Sequence, residues 1–230
     1  WKSANNQIRL WFDETFNQSN EEAPLKQILQ KIEREEWQAC IVTAVRDPIS
    51  HFLSGYNEIE YLWKRKESFL EQEMRRISER RAYVKKRHGS KERFSKFVVD
   101  LLGAPLDMTH WVFRHVYPMS RILPLLESNG VSLDGYLPSI QNLSTAWPAF
   151  LGKQCPSFPS HLGNAAMDTT LGQHNSSKDP DGTYKAAQDV WNDQGPVARA
   201  LCTLHAMDYA CWRDLPDGIP ELCQRVYASE

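Results

Sequence analysis

The chain has 230 residues, 41% of them hydrophobic, which is enough to bury one good-sized core, and we expect a single domain, 1–230. The net charge of −2 conceals a regional separation: residues 64–96 carry +8 and the rest of the chain carries −10. No apolar run approaches the roughly 18 residues that a membrane span needs, and no signal peptide is visible. We therefore expect no membrane span within this chain.

The first half of the chain predicts helices around one strand. Amphipathic helices are predicted over 5–18 and 24–36. Residues 37–45 (WQACIVTAV) form a nearly all-apolar run, as expected of a strand buried on both faces of a parallel sheet. A helix with a basic second half is predicted over 49–87, so residues 57–103 would form a helical excursion. A strand between helices is typical of the α/β class, a parallel β-sheet flanked by helices.

The second half of the chain predicts fewer regular elements. A helix over 91–102 is expected to end at Gly103. Residues 107–130 are predicted to contain one strand and then a short helix. The stretch 152–183 is rich in Pro, Gly, Ser, Asn and Asp and predicts a long loop. The last clear helix is predicted over 196–212.

The five cysteines, at positions 40, 155, 202, 211 and 223, do not have the spacing of a metal site. Cys40 lies in the apolar run and is interpreted as a small core residue. The other four would form two disulfides in an oxidising compartment, and their pairing stays open. Cys202 and Cys211 would lie about 13 Å apart along one continuous helix, which is too far for a bridge between them.

Two stretches place basic and small polar residues at the start of a predicted helix. Lys2-Ser3-Ala4-Asn5-Asn6 stands before the first helix, where backbone N–H groups and the helix dipole receive anions; an ordinary N-cap is the alternative. Arg46 follows the predicted strand at the end where α/β folds bind ligands. Asp47 suits the N-cap of the next helix and Pro48 suits its first turn.

The Ser54 hydroxyl comes one to two turns into that next helix, near enough to share an anion with Arg46. The alternative is an ordinary ion pair for Arg46 and a packing role for Ser54. Chemistry alone therefore leaves an anion site here as one of two interpretations.

Both stretches resemble the sulfotransferases that use 3′-phosphoadenosine 5′-phosphosulfate (PAPS). Lys2 to Asn6 is similar to their phosphosulfate loop. Arg46-Asp47-Pro48 with Ser54-Gly55-Tyr56 is similar to their 3′-phosphate signature R-D-P-x-x-R-[FL]-x-S-x-[YF]. Four later stretches resemble the membrane-bound carbohydrate sulfotransferases: HVYPM (115–119), IQNL (140–143), HNSS (174–177) and LCTLHAMDYACWRDLP (201–216). The chain departs from the family pattern at Ala4, His51, Met119 and Gln141, and the family's first strand, which would precede Lys2, is missing.

The resemblance implies a P-loop NTPase-like sulfotransferase fold and transfer of the sulfuryl group of PAPS to a hydroxyl of a carbohydrate or similar small acceptor. It implies these cofactor-binding residues: Lys2, Ser3, Ala4, Asn5, Asn6 and Gln7 for the 5′-phosphosulfate, and Arg46 and Ser54 for the 3′-phosphate. Lys2 would also act in catalysis by neutralising charge on the bridge that breaks. His115 would be the base that takes the acceptor proton, with His110 and Glu14 as alternatives.

Two other functions are weighed against this one. The four departures and the missing strand motivate a catalytically weak or inactive sulfotransferase-like protein that serves as a structural or interaction subunit, with the long basic helix as a docking arm. A small kinase is disfavoured because KSANNQIR lacks the spacing G-x-x-x-x-G-K-S/T.

The basic segment 64–96 would recruit an acidic glycan or a protein partner, or would be a solvated helix face. Nucleic acid is not expected, because aromatic interleaving and a matching motif are both lacking. Glycosylation sequons at Asn17, Asn142 and Asn175 favour a secreted or lumenal protein. With the resemblance they predict the Golgi lumen or secretory pathway; another organelle or the cytoplasm is the alternative.

Overall fold

The computed structural model describes residues 30, 34, 40–64, 82–103, 113–141, 143–155, 179 and 181–229. The elements are β1 (Val42–Ala44), α1 (Pro48–Lys64), α2 (Lys91–Gly103), α3 (Ile122–Glu127), β2 (Gly135–Leu137), α4 (Leu143–Gln154), α5 (Thr183–Asn192), α6 (Pro196–Leu204), α7 (Ala206–Cys211) and α8 (Glu221–Tyr227). Short 3-10 turns occur at Ala82–Lys85, Phe113–His115 and Met119–Arg121. The described part is thus helix-rich with a parallel sheet, which is consistent with the expected α/β class.

The chain divides into two compact units, the first comprising Trp1–Arg46, Met119–Gln173 and Asp214–Pro216 and the second comprising Asp47–Pro118, His174–Arg213 and Asp217–Glu230. The chain passes from the first unit to the second at the peptide bond between Arg46 and Asp47. The expectation of one domain stays a prediction.

The first unit is built on a parallel pair of strands. β1 and β2 pair in the register Val42 with Gly135, Thr43 with Tyr136 and Ala44 with Leu137. The ladder continues past β1, because the Val45 N–H donates to the Leu137 carbonyl at 2.9 Å. α4 covers this pair, with Ala44, Leu143, Trp147, Leu151 and Cys155 in one buried cluster. The strands are therefore fixed by one helix and by each other.

The second unit is centred on α1 and α2. The buried apolar positions of α1 are Ile49, Phe52, Leu53, Tyr56 and Ile59, which recur at the spacing of one helix face. α2 buries Phe94, Phe97, Val98 and Leu101 at the same spacing. The two faces meet ring to ring, with the Tyr56 centroid 4.9 Å from those of both Phe94 and Phe97. This aromatic contact holds α1 in place at its middle.

Gly55 is where α1 and the Phe113–His115 turn approach backbone to backbone. A Cβ built on Gly55 would lie 1.7 Å from the His115 carbonyl oxygen and 2.5 Å from its carbon. Backbone atoms cannot move away as a flexible side chain can, so only glycine fits at this position.

The Gly55→Ala substitution is therefore expected to destabilise the protein by about 1–3 kcal/mol, since it overpacks a contact with no free volume. The measurement is the free energy of unfolding in urea. Gly152→Ala is the matched control: Gly152 is an exposed helical glycine in α4 whose Cβ would meet no atom within 4 Å. Gly152→Ala is expected to raise the free energy of unfolding by about 0.5–1 kcal/mol. Equal effects of the two substitutions would contradict the close approach at Gly55.

A buried ion pair lies beneath the basic stretch that follows residue 82. The Arg93 Nε donates to Glu60 Oε2 at 2.8 Å, and the two side chains are 1% and 2% exposed. The Arg93 Nη1 donates to the carbonyls of Val84 and Lys86, both at 2.8 Å. Since one guanidinium binds α1 and the backbone of 84–86 together, it fixes the path of the chain into α2.

Several predicted elements need correction. The strand is confirmed but is shorter than 37–45, and only Ala44 of β1 is buried, so it is not covered on both faces. The helix predicted over 49–87 does not reach Arg87, because 82–85 form a 3-10 turn and Gly89 has φ +66°. The helix predicted over 91–102 is confirmed as α2.

In the later part of the chain, no strand occurs in 113–130, the described portion of 107–130, whereas the short helix predicted there is confirmed as α3. The strand of the second half is β2, which lies beyond the predicted range. Of the loop predicted over 152–183, residues 152–154 belong to α4 and Thr183 begins α5, whereas the other described residues, 155, 179, 181 and 182, lie outside helices and strands. The helix over 196–212 is interrupted at His205, which separates α6 from α7. The predicted helices 5–18 and 24–36 lie outside the described residues, apart from Gln30 and Arg34.

The cysteine interpretation was wrong for two residues. Cys40 is exposed and forms a disulfide with Cys155, which ties the start of β1 to the end of α4. Cys202 bonds Cys223 and joins α6 to α8, which leaves Cys211 as a free thiol. Two disulfides indicate a protein that folds in an oxidising compartment. Among the described residues, no helix combines the length and the apolarity that crossing a membrane would take.

Candidate functional site

The connection from β1 to α1 is three residues long and is fixed by hydrogen bonds. Asp47 is the N-cap of α1, because its Oδ1 accepts the Ser50 N–H at 2.7 Å and its carbonyl accepts the His51 N–H at 2.9 Å. Pro48 is the first residue of the helix. Both predictions, the Asp47 cap and the Pro48 first turn, are confirmed.

Tyr209, on α7, binds the other oxygen of the same carboxylate. Its hydroxyl donates to Asp47 Oδ2 at 2.9 Å, and its ring is 3% exposed. Burial and then the Asp47 charge raise the pKa of this hydroxyl well above its ordinary value, while a hydrogen bond from the Ile49 backbone acts in the opposite direction. The phenol therefore stays protonated and keeps donating at every physiological pH.

These contacts account for part of the N–H groups in the first turn of α1. Pro48 has no N–H, and the Ser50 N–H binds Asp47. The next N–H, that of His51, already bonds within the helix. The N–H groups of Ser50 and His51 are therefore both bonded to Asp47.

Arg46 lies at the carboxyl edge of the sheet in the first unit. It follows β1 directly and is half-buried. Because β1 and β2 are parallel, the residues after β2 lie at the same edge, and there the Ser139 Oγ accepts the Gln141 N–H at 3.0 Å. The structure thus brings Arg46 and the exposed Gln141 to one edge of one sheet, which is where open α/β sheets bind ligands. Ser139 was not among the predicted site residues, because β2 was not recognised.

Ser54 and His115 belong to the second unit. Ser54 is half-buried near the end of the second turn of α1. His115 lies in a 3-10 turn, with its carbonyl against Gly55, the neighbour of Ser54, and its side chain is only 2% exposed. The His115 backbone therefore lies against α1 next to Ser54, and its imidazole is enclosed by protein.

A buried pair that sequence reasoning missed, His205 and Asp208, directly precedes Tyr209. His205 Nδ1 is 2.8 Å from Asp208 Oδ2, and both side chains are fully buried. The His205 ring meets Phe52 of α1 edge-on, with 5.6 Å between centroids. The only sequence signal is a His and an Asp three residues apart, a spacing that places them on one helix face. This pair anchors α7 against α1.

The other predicted site residues lie outside the described residues: Lys2, Ser3, Ala4, Asn5, Asn6 and Gln7 of the phosphosulfate loop, and the alternative bases Glu14 and His110. Within the described ranges, no group of three or more His, Cys, Asp and Glu side chains could hold a metal ion.

Comparison with known proteins yields no match to the chain among protein-family models, curated proteins or solved structures.

Proposed function

We propose that this protein binds PAPS and transfers its sulfuryl group to a hydroxyl of a carbohydrate or a similar small acceptor. The observation that carries the proposal is the position of Arg46. It is a cation at the carboxyl edge of a parallel sheet, directly before the helix α1 that Asp47 caps. The carboxyl edge of a parallel sheet is where open α/β folds bind ligands, and a guanidinium suits a phosphate in geometry and charge.

In this proposal the two phosphate ends of the nucleotide have separate binding residues. Arg46 and the Ser54 hydroxyl bind the 3′-phosphate. Lys2 and the segment Ser3 to Gln7, with the amide side chains of Asn5 and Asn6, bind the 5′-phosphosulfate. Binding the nucleotide at both its 3′-phosphate and its 5′-phosphosulfate fixes its orientation. In-line transfer depends on this orientation and on neutralising the charge of the leaving phosphate.

The acceptor hydroxyl must lose a proton during the transfer, and His115 is our proposed base. Imidazole is the side chain whose ordinary pKa is closest to neutral. The contact between the His115 backbone and Gly55 supports the assignment, because it keeps this residue beside the helix that carries Ser54.

The cellular setting follows from the same proposal. The P-loop-like sulfotransferase fold has a parallel sheet flanked by helices, and the pairing of β1 with β2 supports it. We assign the protein to the Golgi lumen, where the two disulfides would persist. The basic segment 64–96, of which Lys85 and Arg87 are exposed, would attract an acidic glycan acceptor.

A second candidate function is a sulfotransferase-like protein that binds the nucleotide without transferring sulfate and acts as an interaction subunit. The burial of His115, at 2% exposure, favours it, because a base must reach the acceptor. Both candidates require Arg46-dependent recognition of a 3′-phosphate, and this is the test of the shared proposal. Transfer of labelled sulfate from PAPS then separates the two.

A further inference from the structure

The Asp47 carboxylate joins parts of the second unit that are far apart in sequence. Tyr209 lies 162 residues after Asp47, yet its hydroxyl is 2.9 Å from Asp47 Oδ2. The other oxygen of the same carboxylate caps α1 through the Ser50 N–H. A cap needs only one of these bonds, so the contact with Tyr209 is additional to what the helix requires.

We propose that Tyr209 is a positioning residue for Arg46: by fixing Asp47, it orients the preceding arginine toward the 3′-phosphate of the nucleotide. The inference rests on the proposed function, since it concerns affinity for that phosphate. It adds that the affinity of the nucleotide site depends on helix α7, which the nucleotide itself need not contact.

The mechanism is a restriction of one side chain and of the peptide that precedes it. With Oδ1 bonded to the first turn of α1 and Oδ2 bonded to Tyr209 of α7, the Asp47 side chain cannot rotate freely. Arg46 is joined to Asp47 by a planar peptide bond, so a fixed Asp47 backbone fixes the position of the Arg46 Cα, from which the guanidinium must be oriented. A bidentate contact between guanidinium and phosphate depends on such orientation.

Tyr209 itself is rigid, which a positioning residue needs to be. Its ring is 3% exposed, and directly before it the fully buried pair of His205 and Asp208 holds α7 against Phe52 of α1. The disulfide between Cys202 and Cys223 fixes the preceding helix α6. The hydroxyl therefore presents a fixed donor to Asp47.

The test is the affinity of the full chain, wild type and Tyr209→Phe, for adenosine 3′,5′-bisphosphate and for adenosine 5′-phosphate, by calorimetry. Losing one charge-assisted hydrogen bond is expected to weaken bisphosphate binding by about tenfold. Binding of the 5′-phosphate, which lacks the 3′-phosphate, is expected to stay within about twofold. In an Arg46→Ala background, Tyr209→Phe is expected to have no further effect, because the group that it positions is gone.

Tyr227→Phe is the matched control. Its hydroxyl donates to the Cys202 carbonyl at 2.7 Å in the same unit, and removing it is expected to leave both affinities unchanged. Asp47→Asn is a second variant that keeps a good cap residue but cannot accept both hydrogen bonds through its single amide oxygen. It is expected to show the same selective loss.

Unchanged bisphosphate affinity in Tyr209→Phe, or an equal loss for both nucleotides, would overturn the inference while leaving the proposed function intact. If the wild-type chain does not distinguish the two nucleotides, the proposed function fails and the inference fails with it.

Discussion

Replacing His115 with glutamine is expected to lower the rate of sulfuryl transfer from PAPS by about 10²–10⁴-fold, the usual contribution of a well-placed general base. Glutamine fills much of the space of the imidazole at this buried position but cannot take up a proton near neutral pH. The backbone contact with Gly55 does not involve the side chain and is preserved. The measurement is turnover of labelled PAPS, together with affinity for adenosine 3′,5′-bisphosphate, which is expected to be unchanged.

His51→Gln is the matched control for this result. His51 is a buried histidine of the same unit, 5% exposed, to which the proposal gives no chemical role. His51→Gln shows how much turnover falls when a buried imidazole without a chemical role is lost. We expect turnover to fall by much less than 100-fold. Near-normal turnover of His115→Gln, or an equal loss in both variants, would show that His115 is not the base.

Replacing Arg93 with alanine is expected to destabilise the protein by about 3–5 kcal/mol, because it leaves the Glu60 carboxylate buried without its guanidinium. The His88 Nδ1 lies 2.8 Å from the same Glu60 oxygen, but that ring is about one-third exposed and is charged only when protonated. The carbonyls of Val84 and Lys86 also lose their donor. The free energy of unfolding in urea measures the effect.

Two variants make this prediction specific. In Lys185→Ala, which removes an exposed ion pair with Asp189 on α5, stability is expected to stay near that of the wild type. The double variant Glu60→Gln with Arg93→Met removes both charges and is expected to recover part of the loss, since no unpaired charge stays buried. If Arg93→Ala were as stable as Lys185→Ala, the buried pair of Arg93 and Glu60 would not contribute to the stability of the fold as expected.

The part of the site that sequence reasoning predicted is the part encoded locally. A β-branched run, then Arg-Asp-Pro, then apolar residues at helical spacing specify strand, cap and helix within some 20 residues, and β1, Asp47 and α1 have that arrangement. The rest depends on partners distant in the chain. Tyr209 is 162 residues from Asp47, and Cys155 is 115 residues from Cys40.

The missed elements have equally physical reasons. β2 is only Gly-Tyr-Leu and carries no alternating pattern, so it is a strand because β1 pairs with it. α4 contains Pro148, which removes one helical hydrogen bond and argues against a helix, but its burial against the strands outweighs that cost. Contacts with parts of the chain distant in sequence determine both β2 and α4, and such contacts cannot be read from a single sequence.

The most direct test of the account compares the affinities of the full chain for adenosine 3′,5′-bisphosphate and adenosine 5′-phosphate, in the wild type and in Arg46→Ala. The wild type is expected to bind the bisphosphate at least about tenfold more tightly, as a charge-assisted contact with the 3′-phosphate requires. At about 100 times its dissociation constant, the bisphosphate should stabilise the fold by about 2.7 kcal/mol. Arg46→Ala is expected to abolish the preference while retaining the fold. Equal binding of both nucleotides by the wild type, or an unchanged preference in Arg46→Ala, would contradict the account.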